Sequence, residues 1–324
     1  MQYDIAVIGN DEAAFRMLCA GAAAMQRVVA ILPESRHSAW MMEQSLRRLV
    51  SNILADRSEA NQGLRPGSAR PRLLKSLLAR SVADEVAEQI VILDGLGIDV
   101  VLGEARFVAR NELAVSAGID ASRSVIRASN VVIGTGVRYT SMHRPLGLIP
   151  YHRPESLFEG VRLAESLCIL GGGGVGAGLA ALFSLFGVRS QLLARENHGA
   201  AMLDLARTAG VQVVFHPAEL GIEQDSILSP ERSDIVDCRR ALGFTENLNL
   251  SVIGIEPDEN GQLWCASSFE TWSSGVFGIG EVVGFSPDTA LSPGRQAERV
   301  LHRIIHRIPQ PHFPQARARR STVS

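Results

Sequence analysis

Lysine is almost missing from this chain. Lys75 is the only one, and 31 of the 32 basic residues are arginine, so any mechanism needing a lysine must use that one. Cysteine is scarce too: Cys19, Cys168, Cys238 and Cys265 lie far apart, with no CxxC or CxxxxC spacing. That argues against metal clusters and a local redox dithiol, and it fits a reducing cytosol. Charge of one sign is also lacking. The net charge is −2 and the pI about 6.5, which leaves no basic field for nucleic acid or an anionic membrane. The N-terminus MQYDIAVIGND has no basic n-region, and its apolar run is too short for a signal peptide; a cytoplasmic location is the expectation. What the chain does have is length and apolar mass. Its 324 residues with 46% hydrophobic and 20% charged content suit two folded domains and exclude a mainly disordered chain.

One segment requires a membrane check. Residues 167–188, LCILGGGGVGAGLAALFSLFGV, carry no charge, but seven of them are glycine and four stand in a row. This composition reads as strand–turn–helix rather than a continuous spanning helix. Elsewhere the pattern alternates. YDIAVI (3–8) reads as a buried parallel strand, Asp11 caps a small-residue helix to about 25, and VVAIL (28–32) returns as a strand. Helices are predicted at 41–55 and 73–93, strands at 98–108, 112–117 and 124–134. A second βαβ unit opens at 167, with later strands at 188–194 and 211–215. Strands at 261–267 and 275–280 then precede a helix at about 289–307. Such alternation predicts doubly wound α/β sheets. The Pro- and Arg-rich end, 308–324, reads as a disordered tail.

The strongest motif is Gly171-x-Gly173-x-x-Gly176, placed between a strand and a helix. The first glycine permits the turn, the second lets a pyrophosphate approach the backbone, and the third lets helix and strand pack closely. The helix N-terminus then offers free N–H groups. Nucleotide binding and a glycine-rich packing turn both remain open. Arg195, at the end of the next strand, is placed either to pair with a 2′-phosphate, favouring NADP, or to be solvated. The corresponding N-terminal motif is altered: Gly9-Asn10-Asp11-Glu12-Ala13-Ala14 retains only its first glycine. Asp11 stands where the phosphates need bare backbone. At about 4 Å and an effective dielectric near 20, one such charge repulsion is worth ~4 kcal/mol. Glu34 offers an acid for a ribose one position late. His302 and His306 are spaced like zinc ligands without a third partner, so no metal site is expected. Trp264 and Trp272 are expected to be packing residues.

VIGNDEAAF, GEARFV, VVIGTGVR, CILGGGGVGAGLAALF and GVFGIGEVVGF occur in the order of the FAD-dependent pyridine nucleotide–disulfide oxidoreductases. The chain resembles that family over about residues 3–305. The nearest likeness is to soluble pyridine nucleotide transhydrogenases, through PRLLKSL…GEARFV and ENGQLWCASSFETWSSGVFGIGEVVGF. The resemblance implies two Rossmann-like domains, with an NAD(P) domain (151–246) inserted into a discontinuous FAD-type domain (1–150 and 247–307). It also implies hydride transfer from NAD(P)H to flavin. By position, Gly134-Thr135-Gly136 is similar to the family's ATG turn, with Arg138 just beyond it. Gly280-Glu281 is similar to the Gly-Asp that holds the ribityl chain, with Glu replacing Asp. Gly178 stands where the family commonly has Glu.

The departures bear on activity. Segment 35–49, SRHSAWMMEQSLRRL, has no cysteine, glycine or lysine where relatives carry a cysteine pair or a lysine near the flavin. The sequence stops where the resemblance places a dimerisation domain, so that domain's His–Glu pair is expected to be absent. No catalytic residue is assigned. Cofactor-binding candidates are Gly9, Glu34, Thr135, Gly136, Arg138, Gly171, Gly173, Gly176, Arg195, Gly280 and Glu281. NAD(P) is the expected ligand, and FAD is opposed by Asp11. Three readings stay open: a dinucleotide-binding relative without catalysis, an active flavoprotein passing electrons to a nicotinamide, quinone or oxygen, and an interaction protein that keeps the fold.

Overall fold

The computed structural model describes residues 2–34, 38–60, 71–117, 122–139, 151–159, 166–171, 173–194, 200–215, 233–239 and 241–306. In chain order the elements are β1 (Gln2–Ile8), α1 (Glu12–Ala23), β2 (Val28–Leu32), α2 (Ala39–Ala60), α3 (Pro71–Gly95), β3 (Asp99–Leu102), β4 (Glu104–Ala109), β5 (Glu112–Ala117), β6 (Ser122–Ile133) and β7 (Val137–Tyr139). Then come β8 (Tyr151–His152), α4 (Pro154–Glu159), β9 (Ser166–Leu170), α5 (Gly174–Leu185), β10 (Arg189–Ala194), α6 (Ala200–Thr208), β11 (Gln212–Phe215) and β12 (Ser233–Asp237). The chain continues through β13 (Ala241–Gly243), β14 (Leu263–Trp264), β15 (Val276–Gly278), β16 (Val283–Phe285) and α7 (Pro293–His306).

The first sheet runs β3-β2-β1-β6-β5-β4, with β15 also on β6. The fully buried β2 pairs in parallel with β1, whose last four residues are buried, and β1 pairs in parallel with the C-terminal half of β6, Val7 opposite Val132. The N-terminal half of β6 pairs antiparallel with β5. One strand thus joins a parallel α/β sheet to an antiparallel extension. The strand order turns about β1 and β6, which opens a crevice at their carboxyl ends, the usual ligand position in such sheets. The second sheet, β11-β10-β9-β12-β8, is parallel throughout. Its turning point lies between β9 and β12, beside the second glycine motif.

Each sheet has its own apolar core, and α2 belongs to the second. Met42, Leu46 and Val50 on α2 join Leu78 on α3 and the wholly apolar face of α5. The Ser81 hydroxyl donates to the Ser45 carbonyl at 2.8 Å, pinning α3 on α2. Gly178 is where α2 and α5 meet: a Cβ there would lie 2.8 Å from the Leu46 Cβ. Met41 and Met42 are buried, and Trp40 stacks on Phe15.

Several sequence expectations are corrected. Of 261–267 and 275–280, only Leu263–Trp264 and Val276–Gly278 form strands, because Gly275 and Gly280 take left-handed backbone that ends the extended run. The last helix begins at Pro293, which suits a first helical position. Trp264 and Trp272 are 54% and 53% exposed rather than packed: Trp264 tilts against Phe285, and the Trp272 indole donates to the Gly254 carbonyl. The uncharged stretch 167–188 divides into β9, a glycine turn and α5. Among the described residues no helix is long and apolar enough to cross a membrane.

The α2–α5 contact makes a prediction with an unusual sign. In an open helix Gly→Ala stabilises by up to about 1 kcal/mol. Gly178→Ala instead destabilises by about 1–3 kcal/mol, because the Leu46 Cβ is fixed to a packed helix. Urea unfolding checks it, and an unchanged or raised midpoint would mean that the two helices do not meet in this way.

Candidate functional site

The first glycine motif folds as its one surviving glycine requires. Gly9 has φ +112°, and a Cβ there would overlap the Gly134 carbonyl. The Gly9 N–H donates to the Ile31 carbonyl at 3.0 Å and the Gly134 N–H to the Ile8 carbonyl at 2.8 Å. The turn is thereby sewn to the ends of β1, β2 and β6. Asp11 caps α1, its Oδ1 accepting the Ala14 N–H at 2.7 Å. Its carboxyl is fully buried and fills the space walled by three further glycines. A Cβ on Gly134 would lie 3.1 Å from Asp11 Oδ1, one on Gly136 would lie 3.2 Å from its Cβ, and one on Gly280 would overlap Oδ2. The Gly280 N–H is already donated to Gln296 Oε1 at 2.8 Å.

A pyrophosphate in this cradle would need the Ala14 amide and the space that Asp11 occupies. The residues present do not fit that group. Asp11 Oδ2 has no hydrogen-bond partner among the described residues. Burial pushes the carboxyl up to about 8; the Ala14 N–H opposes the shift, and Glu281 adds to it through its charge and opposes it through its backbone N–H. At neutral pH Asp11 is therefore mainly protonated, so bulk and the consumed amide exclude the phosphates there. The charge repulsion expected from the sequence contributes only above that pH.

Asn10 does a different job. Its Oδ1 accepts the Ser38 N–H and its carbonyl accepts the Ser38 hydroxyl, both at 3.1 Å. Ser38 Oγ in turn accepts the Met41 N–H at 3.2 Å, which caps α2. The altered motif thus holds the start of the helix that docks on α5.

Beside Gly9 an open groove remains at the carboxyl ends of β1 and β2. Ile8, Ile31, Ala105 and Leu248 form its apolar walls, and Thr135, Glu104 and Asn247 are its polar members. Thr135 Oγ1 is buried with no hydrogen-bond partner among the described residues. Glu34 follows groove residue Pro33 and is exposed. Arg138 is ion-paired with Glu246.

The second motif keeps its cradle. Gly171 has φ +104°, with a Cβ position only 2.8 Å from the Cys238 carbonyl. Gly173 caps α5 without a side-chain hydrogen bond and has open space where a Cβ would stand. Gly176 packs against the Gly171 carbonyl too closely for any side chain. Gly173 therefore leaves bare backbone at the start of α5, with one addition that the sequence did not reveal. The Glu43 carboxyl, reaching from α2, overlies Gly174 where its Cβ would be. Glu43 is 27% exposed and pairs with Arg47 at 2.8 Å. Arg195 lies outside the described residues.

Acid groups dominate the region between the cradles. Glu281 is exposed at the surface yet crowded, and burial followed by Glu43 raises its carboxyl. The Tyr139 hydroxyl is pushed well above its ordinary range by burial, then by Cys238, Glu281, Glu155 and Glu43. The cysteines supply no redox centre: all four are free, and burial raises the Cys168 and Cys265 thiols to about 12. His302 and His306 are exposed neighbours, and the described residues contain no cluster able to hold a metal.

The buried carboxyl makes a pH prediction. The folded chain holds the Asp11 proton more tightly than the unfolded chain does. Its stabilising contribution is therefore complete below the ordinary carboxyl pKa and is lost as pH rises towards about 8. Asn caps helices as well as Asp does. Relative to Asp11→Asn, the native chain should lose up to about 1.4 kcal/mol per pH unit between about pH 5 and 8. Urea midpoints of the two proteins across that range provide the check, and parallel curves would refute a buried, protonated Asp11.

Known proteins share this architecture. The family model described as pyridine nucleotide-disulphide oxidoreductase matches residues 3–299. The chain is 25% identical to the soluble pyridine nucleotide transhydrogenase of Hahella chejuensis over 91% of this chain and 70% of that protein. Its match to the transhydrogenase of Aliivibrio fischeri is 26% identical and spans 57% of this chain and 43% of the relative. Among solved structures, the HOCl-induced flavoprotein disulfide reductase RclA from Escherichia coli superposes with a TM-score of 0.58 at 17% identity, covering 93% of this chain and 70% of that one. LpdA from Mycobacterium tuberculosis gives 0.60 at 16%, covering 96% and 74%. By the extent of the family match and the order of its glycine turns, this chain belongs to the pyridine nucleotide-disulphide oxidoreductase family.

Proposed function

We propose that this chain binds a nicotinamide dinucleotide at the Gly171–Gly176 turn and has lost flavin-mediated hydride transfer. One observation carries the reading: the carboxyl of Asp11 occupies the glycine-walled cradle at the end of β1, where a flavin dinucleotide would place its phosphates. The second turn supports nucleotide binding through its open Gly173 and uncapped α5 amides. Glu43 is a long, partly exposed side chain, so it can move aside at the cost of its part-buried pair with Arg47, worth about 1 kcal/mol. Proposed on the same footing are the domain boundaries at 151 and 246, and Arg195 as the residue that selects NADP.

A second reading, an active flavoprotein, is favoured by the retained groove beside Gly9 and the left-handed Gly280 before Glu281. A visible spectrum separates the two. The first reading expects colourless protein, and a flavin band with stoichiometric FAD would establish the second. The first also expects NADPH to raise the melting temperature. Gly173→Asp should abolish that shift, while Glu43→Ala should tighten NADPH binding about fivefold, equivalent to about 1 kcal/mol at the α5 N-terminus. No NADPH response in native protein or in Glu43→Ala would refute nucleotide binding at this turn.

A further inference from the structure

We propose that Arg47 on α2 is a pyrophosphate-binding residue of the second cradle, and that the Glu43 carboxylate holds the ligand's place against it. This rests on the reading of the Gly171–Gly176 turn as a nucleotide site, and it names the side chain that grips the phosphates there. The Glu43 carboxyl overlies Gly174 at the first turn of α5, and its Oε1 accepts from Arg47 Nη2 at 2.8 Å. An anion is thus already held between the start of α5 and a guanidinium. A phosphate that took the carboxylate's position would meet the same two partners, the uncapped amides of α5 and the fork of Arg47.

An i,i+4 pair alone is an ordinary helix contact. The state of the guanidinium sets this one apart. The Nε and Nη2 donors of an arginine lie along one edge and can take two oxygens of a carboxylate or phosphate together. Arg239 uses that edge in full, with Nε on Asp237 Oδ1 at 2.9 Å and Nη2 on Oδ2 at 3.0 Å. Arg47 uses half of it. Its Nη2 is paired with Glu43, whereas its Nε is buried with no hydrogen-bond partner among the described residues. A buried donor without an acceptor is costly, and a second ligand oxygen would satisfy it. Glu43 is tethered to the same helix one turn away, and its carboxylate reaches a single prong. A phosphate carries no such tether and can align with both. In the exchange Arg47 trades one anion for another, and the released carboxylate, already 27% exposed, turns to solvent.

The test is made in Glu43→Ala, where no carboxylate remains for Arg47 to hold. Dissociation constants for NADPH and NADH are measured by calorimetry on the full chain. Adding Arg47→Met to Glu43→Ala should weaken both dinucleotides by the same factor, at least tenfold, because the pyrophosphate is common to them. Methionine keeps an unbranched apolar stem, so the variant should fold. Arg47→Lys in the same background keeps the charge without the fork and should fall between arginine and methionine. Unchanged affinity on adding Arg47→Met overturns the proposal, since Arg47 would then only anchor Glu43. A loss confined to NADPH overturns it too, because Arg47 would then read the 2′-phosphate. So does a lysine variant that binds no better than the methionine one. If neither dinucleotide binds native protein or Glu43→Ala, the nucleotide reading fails and this proposal with it. If Glu43→Ala binds and is indifferent to Arg47, this proposal fails alone.

Discussion

The arrangement depends on one buried carboxyl held between glycines. Asp11 can lie where it does only because Gly134, Gly136 and Gly280 present no side chains to it. It gains the Ala14 hydrogen bond and closes the first turn of α1. The carboxyl is wholly buried, and protonation limits the cost: a neutral carboxyl is far cheaper to bury than a charged one. Glycines that would leave room for a cofactor leave room here for a side chain. The family's backbone is kept while the space it encloses has a new occupant.

A second consequence reaches α2. Asn10, between Gly9 and Asp11 in the same turn, grips Ser38 and fixes where α2 begins. From that start the helix lies along α5 with Leu46 against Gly178, and Glu43 falls over the turn at Gly174. The bare position at 178 is a condition for this contact, because a longer residue would hold the helices apart. Asn10 at one turn and Gly178 in a distant helix therefore both bear on where α2 lies. The first sheet's loop aims α2, and the second sheet's helix receives it.

Local features were legible in the sequence, and long-range ones were not. The opening βαβ unit, the cap at Asp11 and the strand–turn–helix at 166–185 are set by neighbours in the chain, and each formed as expected. The α2–α5 contact joins residues more than a hundred positions apart, and nothing in SRHSAWMMEQSLRRL announces that Glu43 will overlie Gly174. A small residue at 178 beside an apolar run was the available signal. The short strands were misjudged for the opposite reason. GQLWCAS and GVFGIG have strand composition, but left-handed glycines cut the extended runs short, and a β-type pattern cannot show how many residues will find a partner. The role of charge at Asp11 was likewise overstated, since burial, and with it protonation, is a property of the folded chain.

The two cradles are closed by groups of unequal freedom, and this difference decides what each site can still do. Asp11 has a short side chain, fully enclosed, with its cap bond on one side and glycine walls on others; to withdraw it the α1 cap bond must break. Glu43 has a longer side chain, partly in solvent, whose partner Arg47 sits on the same exposed helix face. A ligand can displace the second by rotating side-chain bonds, at the cost of a weak surface pair. It can displace the first only by breaking a buried cap bond. The same chemical group thus makes a fixed boundary at one turn and a movable cover at the other. For that reason nucleotide binding is proposed at the second turn and not at the first.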